Sequence, residues 1–195
     1  MNKDHHPLGW NAFKIRIRLA DLALPRGTSP PTLVIDLSAP ESLGPSATAA
    51  LDIAGHQVVA YTLERIAGEK LRAFLSTLPT YLVKIAKPGA TVRAKDLYDV
   101  TRIAKAKPFA DVMFWDAVAV EFQHACASRY VDCVGIESFA EHLAVTRAAY
   151  EVDATIPKDI SFDAAWRAIR EIVARFEATG VVPRSYPLEA EPRPT

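Results

Sequence analysis

Cysteine is scarce. Cys126 and Cys133 are the only two in 195 residues, and they form neither a Cys-x-x-Cys knuckle nor a spaced disulfide set. A stapled secreted scaffold is excluded, and two core thiols are expected. Charge of one sign is also lacking. Lys plus Arg number 23 and Asp plus Glu number 23, so the net charge selects no partner and only local charge can inform. No apolar run reaches the ~18 residues of a membrane span. The opening MNKDHHPLGWNAF has no apolar core of a signal peptide. A cytoplasmic protein with no membrane partner is the expectation. No P-loop, Gly-x-Ser-x-Gly or Gly-x-Gly-x-x-Gly is present. Histidine does not fill the gap. His5 and His6 sit near the terminus and are expected in solvent. His124 and Cys126 are two apart and share no helix face. Glu121 and His124 form an i, i+3 pair without a second set. Asp111, Asp116 and Glu121 read as ordinary helix-surface charge, and Trp10, Trp115 and Trp166 as core anchors.

About half of the chain is hydrophobic, and a chain of this length buries roughly two-thirds of its unfolded surface. One domain over residues 1–184 is expected, with a proline-rich, charged tail over 185–195. KIRIRLA (Lys14–Ala20) alternates strictly, with Ile15, Ile17 and Leu19 on one face, as a half-buried strand does. TLVIDLS (Thr32–Ser38) is β-branched and follows a proline-rich loop, so it reads as a second strand antiparallel to the first. Leu33, Ile35 and Leu37 share one face; Asp36 lies on the other. HQVVAYT (His56–Thr62) is a weaker third strand. From Leu63 the period becomes helical, and helices are expected at 63–77, 94–106, 111–130, 138–152 and 161–179. Ser138 and Glu141 are spaced as a capping box, Ser161 as an N-cap, and Gly180 as a C-terminal stop. Strands followed by helices make an α+β fold. A sheet of two or three strands is small for that much helix. It is expected to leave an exposed strand edge or an apolar patch.

GEKLRAFLS (Gly68–Ser76) holds an anomaly. At about 100° per residue from Leu63, the stripe of Leu63, Ile66, Ala67, Leu71 and Phe74 centres near 20°. Lys70 falls at about −20°, inside that stripe, while Arg72 falls at about 180°, where a solvated charge belongs. A lysine aimed inward costs several kcal/mol unless its ammonium finds a partner or reaches a cleft. Two readings stay open: the stem packs and the charge escapes to water, or the lysine faces a site that holds an anion. RAKDLYDV (Arg93–Val100) offers a partner. Asp96 falls between Val100 and Ile103 on the inward half of its helix, with Asp99 beside it. Carboxylates in a first turn also suit the helix dipole. The sharper expectation is that Asp96 meets Lys70 between two helices. From Lys84 to Lys107 seven basic residues stand against two acidic ones. That is a solvated basic stretch or a phosphate or RNA contact surface.

The two motifs in this order resemble the AbiEii/AbiGii toxin family of nucleotidyltransferases. Glu69, Lys70, Leu71 and Ala73 match its E-K-L-x-A helix. Arg93, Lys95, Asp96, Leu97, Tyr98 and Asp99 match its R-x-K/R-D-L-Y-D helix start. TLVIDLS is similar to the family's later acidic strand, and SFDAAWRAIREIVARF to its last helix. The resemblance implies a nucleotidyltransferase fold, here a partial one: a small sheet followed by a helical bundle. It implies transfer of a nucleotide from an NTP to an acceptor such as tRNA, Mg²⁺ held by carboxylates, and a partner antitoxin. On this pattern Lys70 and Asp96 are the candidate catalytic residues. Arg93, Lys95, Asp99 and Glu69 are candidate substrate contacts, and Asp36 is a metal carboxylate.

One element of the pattern is absent. The family's Gly-Gly or Gly-Ser turn and the Asp-x-Asp pair after it do not precede Asp36. One carboxylate does not hold two divalent ions against water, so the chain alone is expected to be a poor transferase. A split enzyme completed by another polypeptide, a start lying upstream, and a decayed remnant all fit. So does a non-catalytic module that binds an antitoxin-like protein or RNA, with Lys70 and Asp96 as a structural pair.

Overall fold

Alternation and helical period translate into structure over most of the chain. The computed structural model describes residues 13–18, 31–37, 41–87 and 89–188. The chain divides into two units, Met1–Glu41 and Ser42–Thr195, and the α+β class holds.

In the first unit, β1 (Phe13–Arg18) and β2 (Thr32–Leu37) pair antiparallel. The register sets Phe13 against Leu37, Ile15 against Ile35, and Ile17 against Leu33. These six share one face by the two-residue period, and all six are exposed. The expected apolar patch is therefore present. On the opposite face Lys14 stands across from Asp36 and pairs with it at 3.2 Å. The expected extensions through Ala20 and Ser38 lie outside the described residues, as do His5, His6 and Trp10.

The second unit opens with a hairpin of β3 (Thr48–Ile53) and β4 (His56–Tyr61). Ala54 and Gly55 form its two-residue turn, both with positive φ (53° and 82°), the conformation that matches the twist of paired strands. Sequence reading had β4 but not β3. Ala49 and Ala50 carry little strand propensity, and pairing with β4 supplies what the residues do not.

Thr62 then caps α1 (Leu63–Leu75) by accepting from the Arg65 N–H. Next come α2 (Pro79–Lys84), α3 (Ala94–Ala106), α4 (Val112–Arg129), α5 (Ile136–Ala140), α6 (Leu143–Val152) and α7 (Phe162–Ala178). Short α2, opened by Pro79, escaped the sequence pattern. The helix expected over 138–152 is broken in two. Its capping box does not form because both residues are engaged elsewhere. The Ser138 hydroxyl accepts from the Val134 N–H, and the Glu141 carboxylate accepts from the Thr80 N–H and hydroxyl. The other helices keep their expected places to within two residues at either end. Ser161 caps α7 through the Ala164 N–H, and Gly180 follows it with φ of 71°.

The core lies among α1, α3, α4 and α7. Leu71, Phe74, Leu97, Val100, Trp115, Val118, Phe122, Ile169, Ile172 and Phe176 are all essentially fully buried, each contributing about 1.5–3 kcal/mol. At Gly68, α1 meets the α4 backbone: an added Cβ would lie 2.7 Å from the Phe122 nitrogen. Trp166 is only half-buried. Cys126 and Cys133 are buried, free thiols. Behind α4, Asp132 accepts from Lys84 Nζ, the Ser185 hydroxyl and the Tyr186 N–H. Ser185 and Tyr186, expected in the tail, are thus tied to the helices; residues beyond Leu188 lie outside the described part.

Candidate functional site

The inward face of α1 is not where its aliphatic stripe puts it. The buried residues are Arg65, Ala67, Gly68, Leu71, Phe74 and Leu75, whose directions centre at about 100° from Leu63 rather than 20°. The helix is rolled because it packs against both α3 and α4, and Gly68 admits α4 close on the side opposite Leu63 and Ile66. Lys70 therefore lies at the margin of the buried face, with its side chain 30% exposed. Arg72, expected in open solvent, lies within that face at 16%.

The roll is tolerated because the arginines it buries are answered. Arg65 and Glu121 have fully buried side chains. Arg65 donates to the Ser42 carbonyl and lies 3.5 Å from Glu121 Oε2. Glu121 in turn accepts the N–H groups of Gly44 and Ser46, both at 3.1 Å. Glu121 is thus no surface charge. It pins the segment leading into β3, and Gly44 lies so close that a Cβ there would meet its carboxylate. Glu69 bridges Arg65 and Arg72. Both carboxylate oxygens of Glu69 are thus engaged by arginines of its own helix.

Lys70 and Asp96 do meet. Lys70 Nζ donates to Asp96 Oδ1 at 3.0 Å and to Asp99 Oδ2 at 2.6 Å. Asp96 is buried at 3% and takes a second cation: Arg93 Nε reaches its Oδ2 at 2.5 Å and Arg93 Nη2 its Oδ1 at 3.2 Å. Asp96 reaches both because it lies in the first turn of α3, three residues after Arg93. Burial by itself lowers the pKa of the Lys70 ammonium. The Asp99 and Asp96 carboxylates outweigh it and hold that group above its ordinary value of 10.5. The four groups balance, two cations against two anions.

Lys70 and Asp99 open onto a cleft of about 680 Å³, within the size range of small-molecule sites. Leu63 and Ile66 of α1 give it an apolar side. Tyr98, Arg102 and Ile103 of α3 and the Pro157–Asp159 loop form the rest of its wall. The Tyr98 hydroxyl donates to Asp159 Oδ1 at 2.9 Å and Arg102 Nη1 to Oδ2 at 3.2 Å. These contacts, the tyrosine's first, hold the Asp159 carboxyl below its ordinary value of 3.8. Sequence reading missed this wall. Tyr98 and Arg102 stand on the motif helix, but Lys158 and Asp159 arrive from some sixty residues downstream, and no local pattern announces them.

Within the second unit, not every candidate lines the cleft. Lys95 is exposed on α3 and does not line the cleft. The basic stretch is largely answered from within: Lys84 by Asp132, Arg93 by Asp96, Arg102 by Asp159 and Lys107 by Asp111. Asp36 belongs to the first unit, exposed and paired with Lys14. Among the described residues no three of His, Cys, Asp and Glu stand together as metal ligands. Asp36 with a lysine beside it does not make a two-metal site. His124 bonds the Ser42 hydroxyl through Nδ1 at 2.9 Å. No helix among the described residues is long and apolar enough to cross a membrane.

No curated protein and no solved structure matches the chain. A family model does: Nucleotidyl transferase AbiEii toxin, Type IV TA system, over residues 2–183. That span takes in both hairpins, the paired Lys70 and Asp96, and all seven helices among the described residues. The chain belongs to the AbiEii nucleotidyltransferase toxins of type IV toxin–antitoxin systems.

Proposed function

We propose that this chain supplies the nucleotide-binding wall of a toxin that transfers a nucleotide from an NTP to an acceptor such as tRNA. The observation that carries this reading is the half-buried Lys70, gripped by Asp96 and Asp99 at the mouth of a nucleotide-sized cleft. Two carboxylates fix an otherwise flexible ammonium in place, which is what positioning a substrate's phosphates requires. Asp96 is the positioning residue and Arg93 holds it. Asp99 shares Lys70 with Asp96 and faces the cleft. Leu63 and Ile66 give an apolar face against which a base or sugar packs.

The phosphoryl chemistry of such a transfer calls for Mg²⁺ held by several carboxylates. Asp36 is one, and no Asp-x-Asp pair precedes it in this sequence. On this reading the remaining carboxylates come from a complementing polypeptide, and the isolated chain binds nucleotide far better than it turns it over. An antitoxin protein is the second expected partner, and the cytoplasm, where NTP and tRNA lie, the expected compartment.

A second reading has one observation behind it. Lys70, Arg93, Asp96 and Asp99 are mutually neutralised, as a purely structural ion-pair cluster would be. The chain would then be a non-catalytic module that docks an antitoxin-like protein or RNA. Titration calorimetry with NTP and Mg²⁺ separates the two. Binding that falls in Lys70→Ala supports the nucleotide site, and equal heats from both proteins remove Lys70 from it.

A further inference from the structure

The cluster around Lys70 leaves a question of charge. Its two cations are matched by two carboxylates, so little is left over to attract a polyanion. Other groups lining the same cleft supply the difference, but they are occupied. The Asp159 carboxylate bridges Tyr98 and Arg102, one oxygen to the hydroxyl and the other to the guanidinium. A hydroxyl and a guanidinium converging on two oxygens of one anion is the donor set that a phosphoryl group takes. Lys158, the neighbour of Asp159, also lines the cleft. Its ammonium donates to the carbonyls of Glu151 and Asp153 at 3.0 and 3.3 Å, at the end of α6. No carboxylate is bonded to that ammonium among the described contacts. Asp159 itself is 46% exposed and Arg102 is 58% exposed, so their ion pair is solvated and weak. A ligand can displace it.

We propose that Asp159 is a built-in competitor for the anion site of the cleft. A polyphosphate chain, such as that of a nucleoside triphosphate, replaces its carboxylate on Tyr98 and Arg102, with Lys158 as a further cation. This rests on the reading of the cleft given above. It adds a second set of anion-binding groups, Tyr98, Arg102 and Lys158, to the cleft that Lys70 lines, and a loop whose own carboxylate must swing out for the ligand to enter. Binding is then coupled to movement of Pro157–Asp159.

The test uses inorganic tripolyphosphate, which carries no base or sugar, titrated into the full chain by calorimetry. Asp159→Asn keeps the side-chain size and an acceptor for Tyr98 but removes the charge. It is expected to bind tripolyphosphate roughly three- to fivefold more tightly than wild type, the scale of one exposed ion pair. Arg102→Ala is expected to bind more weakly. In the double variant the gain from Asp159→Asn disappears, because no guanidinium is left to release. Asp159→Asn binding no tighter than wild type, with unchanged far-UV circular dichroism, overturns the proposal. So does a gain that persists without Arg102. Lys70→Ala in the same series keeps the two claims apart. If it weakens binding while Asp159→Asn does nothing, only the competitor fails. If no variant alters binding, the nucleotide site fails with it.

Discussion

Lys70 and Arg72 illustrate how a charge is judged by its partners rather than by its angle alone. Both lie on α1, where the roll of the helix carries Arg72 into the buried face and leaves Lys70 at its margin. Lys70 is met by two aspartates from α3, Arg72 by Glu69 on its own helix. The more demanding case is Glu121, which is fully buried with Arg65 and also holds two backbone N–H groups. Removing one member of such a pair strands the other charge. Glu121→Ala is expected to lower unfolding free energy by about 3–5 kcal/mol, read from urea melts followed by circular dichroism. A loss under ~1 kcal/mol would mean that water reaches the pair. Sequence reading took Glu121 for surface charge because periodicity sorts residues by polarity. A buried carboxylate is visible only once Arg65 and the Gly44–Ser46 backbone are placed around it. Lys70 and Asp96 were legible for the opposite reason. Each is a charged residue set among apolar neighbours at helical spacing, and that violation shows in one dimension.

Elements whose apolar pattern repeats over three or more turns were legible almost to their ends, as α3 and α7 show. Those decided by contacts were not. Strand β3 is Ala-rich and exists through β4; α2 has fewer than two turns; and the break between α5 and α6 follows from Ser138 and Glu141 bonding elsewhere. The Asp132 clasp belongs to this scale too, since it ties α2 and the segment after α7 to the end of α4. Partial burial raises the Asp132 carboxyl, but Lys84, the Tyr186 N–H and the Ser185 hydroxyl bring it below its ordinary value of 3.8. The contribution of that group to stability is therefore complete above pH 3.8 and is lost as pH falls through its lower folded value. Protection of the Tyr186 amide, its exchange relative to the intrinsic rate at the same pH, is expected to fall in that acid range before the core helices open, and Asp132→Asn to show the lower protection already at neutral pH. Equal exchange in the variant and wild type would show that the clasp does not hold the segment.

The distribution of burial divides the molecule. All the buried apolar residues among the described ones lie from Ala47 to Val182, within the unit Ser42–Thr195. A fragment of residues 42–195 is therefore expected to unfold in one cooperative transition, since it carries the whole of that core. A broad, non-cooperative melt would contradict this. The β1–β2 hairpin is the reverse: two strands with six exposed apolar side chains on one face, a form that is marginal by itself in water. Its small sheet could be read from the alternation of KIRIRLA and TLVIDLS. What covers its apolar face could not be, because two strands of sequence do not specify a third.

The central claim is that Lys70, fixed by Asp96 and Asp99, belongs to a nucleotide site. The most direct measurement is calorimetric titration of NTP with Mg²⁺ into wild type and Lys70→Ala, with folding of each checked by circular dichroism. The account expects saturable binding to wild type and a Kd at least about tenfold weaker for Lys70→Ala, the effect of losing one charged contact of about 1.4 kcal/mol or more. Indistinguishable isotherms from two folded proteins would contradict it and leave the Lys70 cluster as structure alone.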